Sequence, residues 1–489
     1  MLVDALLETS RRCPSALAIE DGTRDLTFRQ LTLLASVFRD VVEQTTPCPR
    51  VGVMLPASTA FPPLLFGTLW AGRVAVPLNF LLQADELVHV VKDAEIDTIF
   101  TVEHFRPLVS QLPVRAVYLE EMGLKSKVVW ATFRRFAPVP RVDPNATAVM
   151  LYTSGTTAEP KGVELTYENL HSNCVDAIAS LEIDPAQSFL NILPPFHVFG
   201  LMANVLVPVF LGSAVHAMPR FNPVHAVRTV AEKRAGILLA IPSMYAAMLR
   251  TKSAKPDAFA SIYLAFSGGE PLPDSVLKGF AERFGVTLRQ GYGLTETSPI
   301  VAACSPNSYR EGTVGKPIRN VEVRIAGTDG TSLPVGSDGE IFVRGPNVMK
   351  GYFRKPDETR KVLDPQGWFT TGDIGRFDAD GFLSITGRAK DMLIIGGENV
   401  YAREIEAVLE QHPGVLQAAV IGVPDGLRGE TAVAFVIPKE GVTPTSDELR
   451  VFTRERLAGF KVPRRVEVRQ DLPSGPTGKI LKRKLRELL

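Results

Sequence analysis

The residues with the clearest chemical potential form a short polar loop, Thr153 to Gly162, which is dense in hydroxyls and glycine and contains Lys161. The loop follows an apolar run at 148–151 that predicts a buried strand, and it precedes 166–170, which predicts the beginning of a helix. Backbone N–H groups and hydroxyls can donate to phosphate oxygens, and a lysine supplies positive charge. A surface turn has a similar composition, so the loop alone leaves a polyphosphate site and a turn both open.

The loop matches neither of the common nucleotide-binding motifs. A Walker A loop needs Gly-Lys followed by Ser or Thr, whereas Lys161 follows Pro160 and precedes Gly162. A dinucleotide fingerprint needs three glycines, and Glu296 stands where the third would follow Gly291 and Gly293. Other parts of the chain must therefore decide what the loop does.

Composition excludes several classes of protein. A chain of 489 residues predicts several domains, or one large and one small, and a net charge of +1 argues against general nucleic-acid binding. The four cysteines are widely scattered without a CxxC pair, which indicates a reduced protein without a zinc cluster. The first residues carry acids and no basic leader, so we expect no signal peptide and a cytoplasmic location.

One apolar stretch, 201–218, resembles a membrane span in composition. It contains Asn204, Pro208 and His216 and lies in mid-chain, so it predicts a buried core segment. We therefore expect no integral membrane segment, and the sequence leaves peripheral membrane contact open.

The patterning along the chain predicts an α/β fold. Residues 1–150 and 220–300 alternate helical and strand patterns, which is typical of layered α/β sheets with mostly parallel strands. Short alternating runs between turns at about 312–387 predict a small β-rich subdomain. The last 100 or so residues predict a compact α+β unit. The predicted organisation is an N-terminal domain at 1–388 and a C-terminal domain at 389–489.

Four further motifs carry polar residues beside glycine. Gln290-Gly-Tyr-Gly-Leu-Thr-Glu-Thr297 follows a predicted strand, and the carboxyl edge of open α/β sheets is where ligands bind. The others are Ser267-Gly-Gly-Glu-Pro-Leu-Pro273, Trp368-Phe-Thr-Thr-Gly-Asp373 and Pro473-Ser-Gly-Pro-Thr-Gly-Lys479. Taken singly, each is also compatible with an ordinary turn or a solvated surface charge.

Taken in order, these motifs resemble those of the adenylate-forming superfamily: acyl-CoA synthetases, luciferases and the adenylation domains of peptide synthetases. The first loop is similar to (Y/L)TSGTTGxPKG, with Ala158 where glycine is usual. The resemblance covers nearly the whole chain and is closest to bacterial medium- or long-chain fatty acyl-CoA ligases. It implies an AMP-forming acid–thiol ligase that uses ATP, Mg²⁺ and coenzyme A.

The resemblance also implies a role for each motif residue. Tyr292 stacks on adenine, Thr295 reaches the phosphate, and Glu296 binds magnesium. The remaining nucleotide contacts fall to the phosphate loop, to the two glycine turns and to a ribose-binding pair: Thr153, Ser154, Gly155, Thr156, Thr157, Lys161, Gly268, Gly269, Gly291, Gly293, Asp373 and Arg388. Glu270 occupies a position often held by alanine, so its role stays open.

Two lysines are implied to serve a mobile C-terminal domain. Lys479 contacts the acyl carboxylate and the α-phosphate during adenylation, and Lys390 is the hinge. A short exposed hinge can absorb a rotation. The domain closes one way for adenylation and swings for thioester formation.

The acid site is indicated by Pro194-Pro-Phe-His-Val-Phe-Gly200, which resembles the family segment beside the substrate carboxylate. His197 could contact that carboxylate, gate the tunnel, or simply be a packed histidine at a helix start. The residues that follow contain no Asp to pair a substrate ammonium, which would be costly to bury alone. An apolar acid is therefore expected. We predict a medium- or long-chain fatty acid, with a benzoate- or cinnamate-type aryl acid as the alternative.

The thiol is expected to be coenzyme A. Gly396 and Gly397 match the glycine loop that lines the pantetheine tunnel in CoA ligases, and Arg428 could stack on the CoA adenine or pair with a phosphate. A carrier protein presents the same phosphopantetheine thiol and remains the second choice. A non-catalytic lipid-binding protein is disfavoured, because Glu296, Asp373, Arg388 and Lys479 are all retained.

Overall fold

A computed structural model describes residues 1–133, 136–153, 160–327, 330–395, 398–425, 429–474 and 480–489. Within these residues the β-strands are β1 Leu17–Glu20, β2 Asp25–Thr27, β3 Arg50–Met54, β4 Val74–Pro77, β5 Thr98–Thr101, β6 Arg115–Tyr118, β7 Thr147–Thr153, β8 Lys161–Thr166, β9 Phe189–Asn191, β10 Val215–Ala217, β11 Ile237–Ala240, β12 Leu264–Ser267, β13 Leu288–Gly293, β14 Ile300–Ala303, β15 Lys316–Pro317, β16 Glu322–Ala326, β17 Gly339–Arg344, β18 Gly351–Tyr352, β19 Phe369–Phe377, β20 Leu383–Arg388, β21 Met392–Ile395, β22 Glu398–Tyr401, β23 Val415–Asp425, β24 Gly429–Pro438 and β25 Arg465–Val468.

The α-helices in the same part of the chain are α1 Leu2–Arg12, α2 Phe28–Thr45, α3 Phe61–Trp70, α4 Ala84–Asp93, α5 Arg106–Val109, α6 Leu124–Thr132, α7 Tyr167–Ser180, α8 Val198–Leu201, α9 Val207–Leu211, α10 Pro223–Lys233, α11 Pro242–Leu249, α12 Asp274–Phe284, α13 Pro356–Val362, α14 Ala402–Glu410, α15 Ser446–Arg454 and α16 Lys482–Arg486. A π-helical turn, Met202–Leu206, joins α8 to α9. Short 3₁₀ turns include Thr295–Thr297 and Ala389–Asp391.

Two large sheets form the N-terminal part. The first has nine strands in the order β15-β14-β13-β12-β11-β9-β10-β1-β2, and the second has seven in the order β18-β8-β7-β4-β3-β5-β6. In the first sheet the strands from β13 to β1 run parallel and are mostly apolar; β11, for example, is apolar and buried at every position. Such apolar strands are expected where helices cover both faces of a parallel sheet, because side chains on both faces are then buried.

Two smaller sheets complete the chain. Strands β16-β17-β19-β20 form an antiparallel sheet, and β22-β21-β24-β23 form another, with β25 added to β24. The predicted α/β class, with a large N-terminal domain of layered sheets and a smaller C-terminal domain, is confirmed. Two short strands from the predicted β-rich stretch join the larger sheets, because β15 pairs with β14 and β18 pairs with β8. The residue boundaries of the domains stay predictions.

The structure adds a strand that the sequence did not predict. The expected helix begins at Tyr167, with the Thr166 side chain accepting from the Asn169 amide at 3.0 Å. Between the polar loop and this helix, however, the chain forms β8, which pairs antiparallel with β7 so that Thr153 lies opposite Lys161. The loop therefore joins two paired strands, and Lys161 is the first residue of a strand.

The apolar stretch at 201–218 is core, as predicted. It forms the end of α8, the π-helical turn, α9 and β10, and most of its side chains are buried. In the described part of the chain, no helix combines the length and apolar character needed to cross a membrane.

Candidate active site

The ammonium of Lys161 is held at one end of the site by two neighbours. Its Nζ lies 2.6 Å from Glu358 Oε2 and 5.0 Å from the centre of the Tyr352 ring. These partners are close because β18, which contains Tyr352, pairs with β8, and α13, which contains Glu358, follows β18. Hydrogen bonds from Lys161 and Lys361 lower the pKa of Glu358 to about 2, so this carboxyl group is ionised at neutral pH.

Tyr352 links Lys161 to the second charged group, Glu296. The Tyr352 hydroxyl donates to Glu296 Oε1 at 2.9 Å. Glu296 lies in the 3₁₀ turn after β13, and its carbonyl accepts from the Met349 amide at 2.8 Å. The residues expected at the phosphates and at the metal therefore come together through one tyrosine.

A third cluster surrounds Asp373, whose side chain is 5% exposed. The Tyr292 hydroxyl donates to one carboxylate oxygen at 2.7 Å, and Arg388 Nε contacts the other at 2.7 Å. Asp373 on β19 lies directly opposite Arg388 on β20, so the hairpin formed by these two strands brings the two side chains together. The Asp373 amide donates to Thr371 Oγ1 at 3.0 Å and fixes the turn.

Tyr292 cannot act as an acid or base in the neutral range. Burial, together with the negative charge of Asp373, raises the pKa of Tyr292 well above its ordinary value. The phenol stays protonated, so it can offer a hydrogen bond and a ring face.

The four glycines predicted to contact the nucleotide outside the phosphate loop have different structural roles. A Cβ on Gly291 would lie 2.1 Å from the Phe266 ring, and one on Gly293 would lie 2.0 Å from the Pro299 carbonyl oxygen. These two glycines are therefore required by the packing of β13 itself. Gly269 has φ +84°, which favours glycine, and a Cβ on Gly268 would meet the Phe199 ring at 3.6 Å.

The ends of β12 and β13 lie side by side, with Ser267 opposite Gln290. The turn that holds Gly268, Gly269 and the half-buried Glu270 is thus adjacent to the Tyr292 segment. Because Phe199 approaches Gly268, the expected acid-binding segment reaches the same edge of the sheet. The nucleotide and acid residues proposed from separate motifs converge here.

His197 lies immediately before α8, with its ring centre 4.6 Å from that of Phe196. Burial lowers the pKa of His197 to about 4. The imidazole is therefore neutral at physiological pH, and it offers a substrate carboxylate one N–H rather than a full charge.

Eight predicted residues lie outside the described residues: Ser154, Gly155, Thr156, Thr157, Gly396, Gly397, Arg428 and Lys479. Their described flanks show how the segments are anchored. Ser474 and Ile480 form a bridge on either side of the Lys479 segment. Ile395 pairs with both Glu398 and Gly429, so the strands flanking the two predicted CoA segments meet at one residue.

Lys390 is exposed in the 3₁₀ turn Ala389–Asp391, directly after Arg388. The nearby Lys482 is paired with two carboxylates. Its Nζ lies 2.7 Å from Glu406 Oε1 and 3.5 Å from Asp391 Oδ2. This lysine therefore ties the C-terminal helix to α14 and to the end of the turn that contains Lys390.

Sequence reasoning missed Tyr352 and Glu358. Lys161 and Glu358 are separated by 197 positions, so no local pattern connects them. Residues 352–358 contain no recognisable motif. The contact between Lys161 and Glu358 became visible only from the pairing of β8 with β18.

Comparison with known proteins identifies the family. The family model described as "AMP-binding enzyme" matches residues 6–353, and the model "AMP-binding enzyme C-terminal domain" matches residues 404–479. The chain belongs to the AMP-binding enzyme family. This confirms the resemblance to adenylate-forming enzymes drawn from the motifs.

Relatives in this family match over nearly their full lengths. A feruloyl-CoA synthase from Amycolatopsis sp is 35% identical, covering 98% of this chain and 96% of that protein. A long-chain-fatty-acid–CoA ligase from Bacillus subtilis is 33% identical, covering 99% and 94%. The crystal structure of ATP-bound MatB from Rhodopseudomonas palustris superimposes with a TM-score of 0.90 at 29% identity, covering 100% and 99%.

The depressed pKa of His197 predicts a specific acid sensitivity. The unfolded chain takes up a proton near pH 6.5, whereas the folded chain does so only near pH 4. The stability of the fold should therefore fall by up to about 3 kcal/mol as pH drops through this window, since one pKa unit corresponds to about 1.4 kcal/mol.

Urea unfolding at several pH values between neutrality and the folded pKa measures this effect. His197→Asn should remove that part of the pH dependence, while substitution of the exposed His225 by Asn should leave it in place. An identical pH dependence in His197→Asn and wild type would show that His197 is not the buried neutral group.

Proposed function

We propose that this protein is an ATP-dependent acid–thiol ligase that converts an apolar carboxylic acid to an acyl adenylate and then to an acyl-CoA. One observation carries the proposal. Two charged clusters meet at the end of β13. Tyr292, in the strand itself, belongs to the cluster with Asp373 and Arg388, and Glu296, in the turn that follows, is linked through Tyr352 to Lys161. A polyphosphate end and a ribose end are what one ATP molecule requires.

In this proposal Asp373 holds the ribose. One of its oxygens accepts a hydrogen bond from Tyr292 and the other forms an ion pair with Arg388, so each retains a lone pair for a ribose hydroxyl. Arg388 pairs with the carboxylate and adds a donor at the same edge. Tyr292 presents its ring to adenine, and its hydroxyl cannot rotate away without breaking the bond to Asp373.

Lys161 and the polar loop take the β- and γ-phosphates. An ammonium has three donors, so Lys161 can keep Glu358 and still donate to a phosphate. Glu358 is therefore proposed as a positioning residue for Lys161.

The residues present also fit a magnesium ion shared with the nucleotide. Mg²⁺ is usually bound through one or two carboxylates together with substrate phosphates, and Glu296 is a half-buried carboxylate beside the phosphate-binding lysine. When bound, the ion neutralises phosphate charge. Tyr352 would hold the Glu296 carboxylate in place for it.

The first reaction is a displacement at the α-phosphorus. A carboxylate oxygen of the acid forms the new O–P bond, the bond from the α-phosphorus to the bridging oxygen breaks, and pyrophosphate leaves. Catalysis by this chain is mainly positioning and charge neutralisation by Lys161, Thr295 and Lys479. In the second reaction the thiol of CoA loses its proton, its sulfur bonds to the acyl carbon, and AMP leaves.

The acid is proposed to be apolar because the segment beside it offers no charge. Residues 192–209 contain no Asp, Glu, Lys or Arg, and His197 is neutral. We propose a medium- or long-chain fatty acid first. The Phe199 ring next to Gly268 favours an aryl acid as the second candidate, because aromatic rings stack on one another.

Acid-dependent exchange of labelled pyrophosphate into ATP tests the function. We expect exchange with octanoate, palmitate, ferulate or benzoate, and none with phenylalanine, whose ammonium would be buried without a partner. Acyl-CoA formation with the same acids then separates fatty from aryl preference. A protein that binds ATP yet shows no exchange with any acid would overturn the proposal.

The two half-reactions are proposed to use two positions of the C-terminal domain, 389–489, which rotates about Lys390. Lys479 serves adenylation. Gly396, Gly397 and Arg428 serve CoA, with a carrier protein as the less favoured thiol donor. Free buried thiols at Cys174 and Cys304 are compatible with the reducing cytoplasm proposed for this reaction.

Lys479→Ala should lower the rate of acyl-AMP formation by about a hundredfold or more, the usual effect of removing one charge-stabilising donor. Thioester formation from supplied acyl-AMP should change by less than about threefold. Rapid-quench measurement of each half-reaction separates the two.

Lys390→Pro provides the matched comparison, because it stiffens the turn without touching either substrate. It should slow the thioester step and spare adenylation. Equal loss of both half-reactions in either variant would contradict the two-position account.

A further inference from the structure

A cluster of large apolar side chains projects into solvent from α6 and the residues after it. Val129, Trp130, Phe133 and Phe136 are exposed by 59%, 70%, 83% and 45%, respectively. We call these four residues the α6 patch. Single exposed apolar residues are ordinary, but a contiguous group with three aromatic rings is typical of an interaction surface.

The patch is not the inward side of α6. Leu124, Val128 and Ala131 on the other side of the helix pack against the core of the N-terminal domain. Large apolar side chains therefore lie on the outer side of α6 as well as on its inner side, and on the outer side Lys127 is exposed beside them.

The edge of the patch is anchored to the fold. The ring of Phe136 lies 5.8 Å from that of Trp70, and the Trp70 indole N–H donates to the Pro138 carbonyl at 3.4 Å. Between α2 and α6 lies an open groove of about 610 Å³, lined by apolar Val37, Val41 and Trp130 and by polar Arg39, Asp40 and Lys127. The patch thus borders a recess that offers both apolar and charged side chains.

The segment that carries the patch is basic. Residues 122–142 contain five Lys or Arg and no Asp or Glu, in a chain whose net charge is only +1. Lys127 and Arg141 are exposed. On the facing α2, Arg39 is paired with Asp40 at 3.1 Å and with Glu43 at 2.9 Å, so this group carries one net negative charge against the five basic residues of the segment.

We propose that the α6 patch docks on the surface of a bilayer that contains anionic lipid. Trp and Phe partition to the headgroup boundary, and basic residues beside them add electrostatic attraction to anionic headgroups. A second copy of this chain would bring two basic segments together, which like charge opposes. The inference does not depend on the proposed ligase activity; an enzyme acting on fatty acids would meet its substrate at this surface.

Vesicle flotation of the full chain tests the proposal. Binding to phosphatidylcholine vesicles with about one-quarter phosphatidylglycerol should be at least about tenfold stronger than binding to phosphatidylcholine alone, because each basic residue near an anionic surface contributes about fivefold. Raising the salt concentration should weaken it.

Trp130→Ser with Phe133→Ser should reduce binding to the anionic vesicles by at least about tenfold, through lost apolar burial. Lys127→Glu with Arg141→Glu should reduce it by a similar factor. The matched controls are Val335→Ser with Val451→Ser, which are exposed apolar residues elsewhere, and Arg228→Glu with Lys278→Glu, which are exposed basic residues elsewhere. Both controls should bind as wild type does.

Unchanged thermal unfolding midpoints show that the variants are folded. Failure of the wild type to float, or equal flotation of patch and control variants, would overturn the proposal. A concentration-dependent dimer in light scattering that the patch variants abolish, without vesicle binding, would assign the patch to a second copy instead. If the wild type has no ligase activity, the proposed function is contradicted, but the proposed membrane docking is not.

Discussion

The carboxylate of Asp373 is almost fully buried, and an isolated charge in that position would cost several kcal/mol. It is accommodated because Tyr292 and Arg388 each occupy one of its oxygens. Tyr292 belongs to the nine-stranded sheet, while Asp373 and Arg388 belong to the antiparallel sheet that ends at the proposed hinge. Satisfying this one charge therefore aligns two sheets and the start of the C-terminal region, and the proposed ribose site depends on it.

At the proposed polyphosphate end the buried charge is positive, and it too is paired. Lys161 is largely buried, and it is neutralised by Glu358 and covered by Tyr352, which also holds Glu296. Both ends thus exist as paired charges before any ligand is considered. A bound nucleotide would meet side chains that already hold their positions. Charges fixed in advance can stabilise a transition state without first having to move, which is what electrostatic catalysis requires.

How much of this could be predicted from sequence depends on the range of each interaction. Features that depend on a short stretch of chain could be predicted. These are the α/β class, the helix that begins at Tyr167, and the importance of Asp373 and Arg388, which one hairpin brings together. The strand β8 and the Lys161–Glu358 pair were not, because each depends on a strand partner far away in the chain. Gly291 and Gly293 were predicted as nucleotide contacts, and their neighbours show a packing requirement that no motif reveals.

The central claim is that one site has a ribose end at Asp373 and a phosphate end at Lys161. Binding of AMP and of pyrophosphate to Asp373→Asn and Lys161→Met, measured by calorimetry, tests it most directly. The account predicts that Asp373→Asn weakens AMP binding by about tenfold or more and leaves pyrophosphate binding within about twofold, and that Lys161→Met does the reverse. Equal effects of both substitutions on both ligands would contradict it.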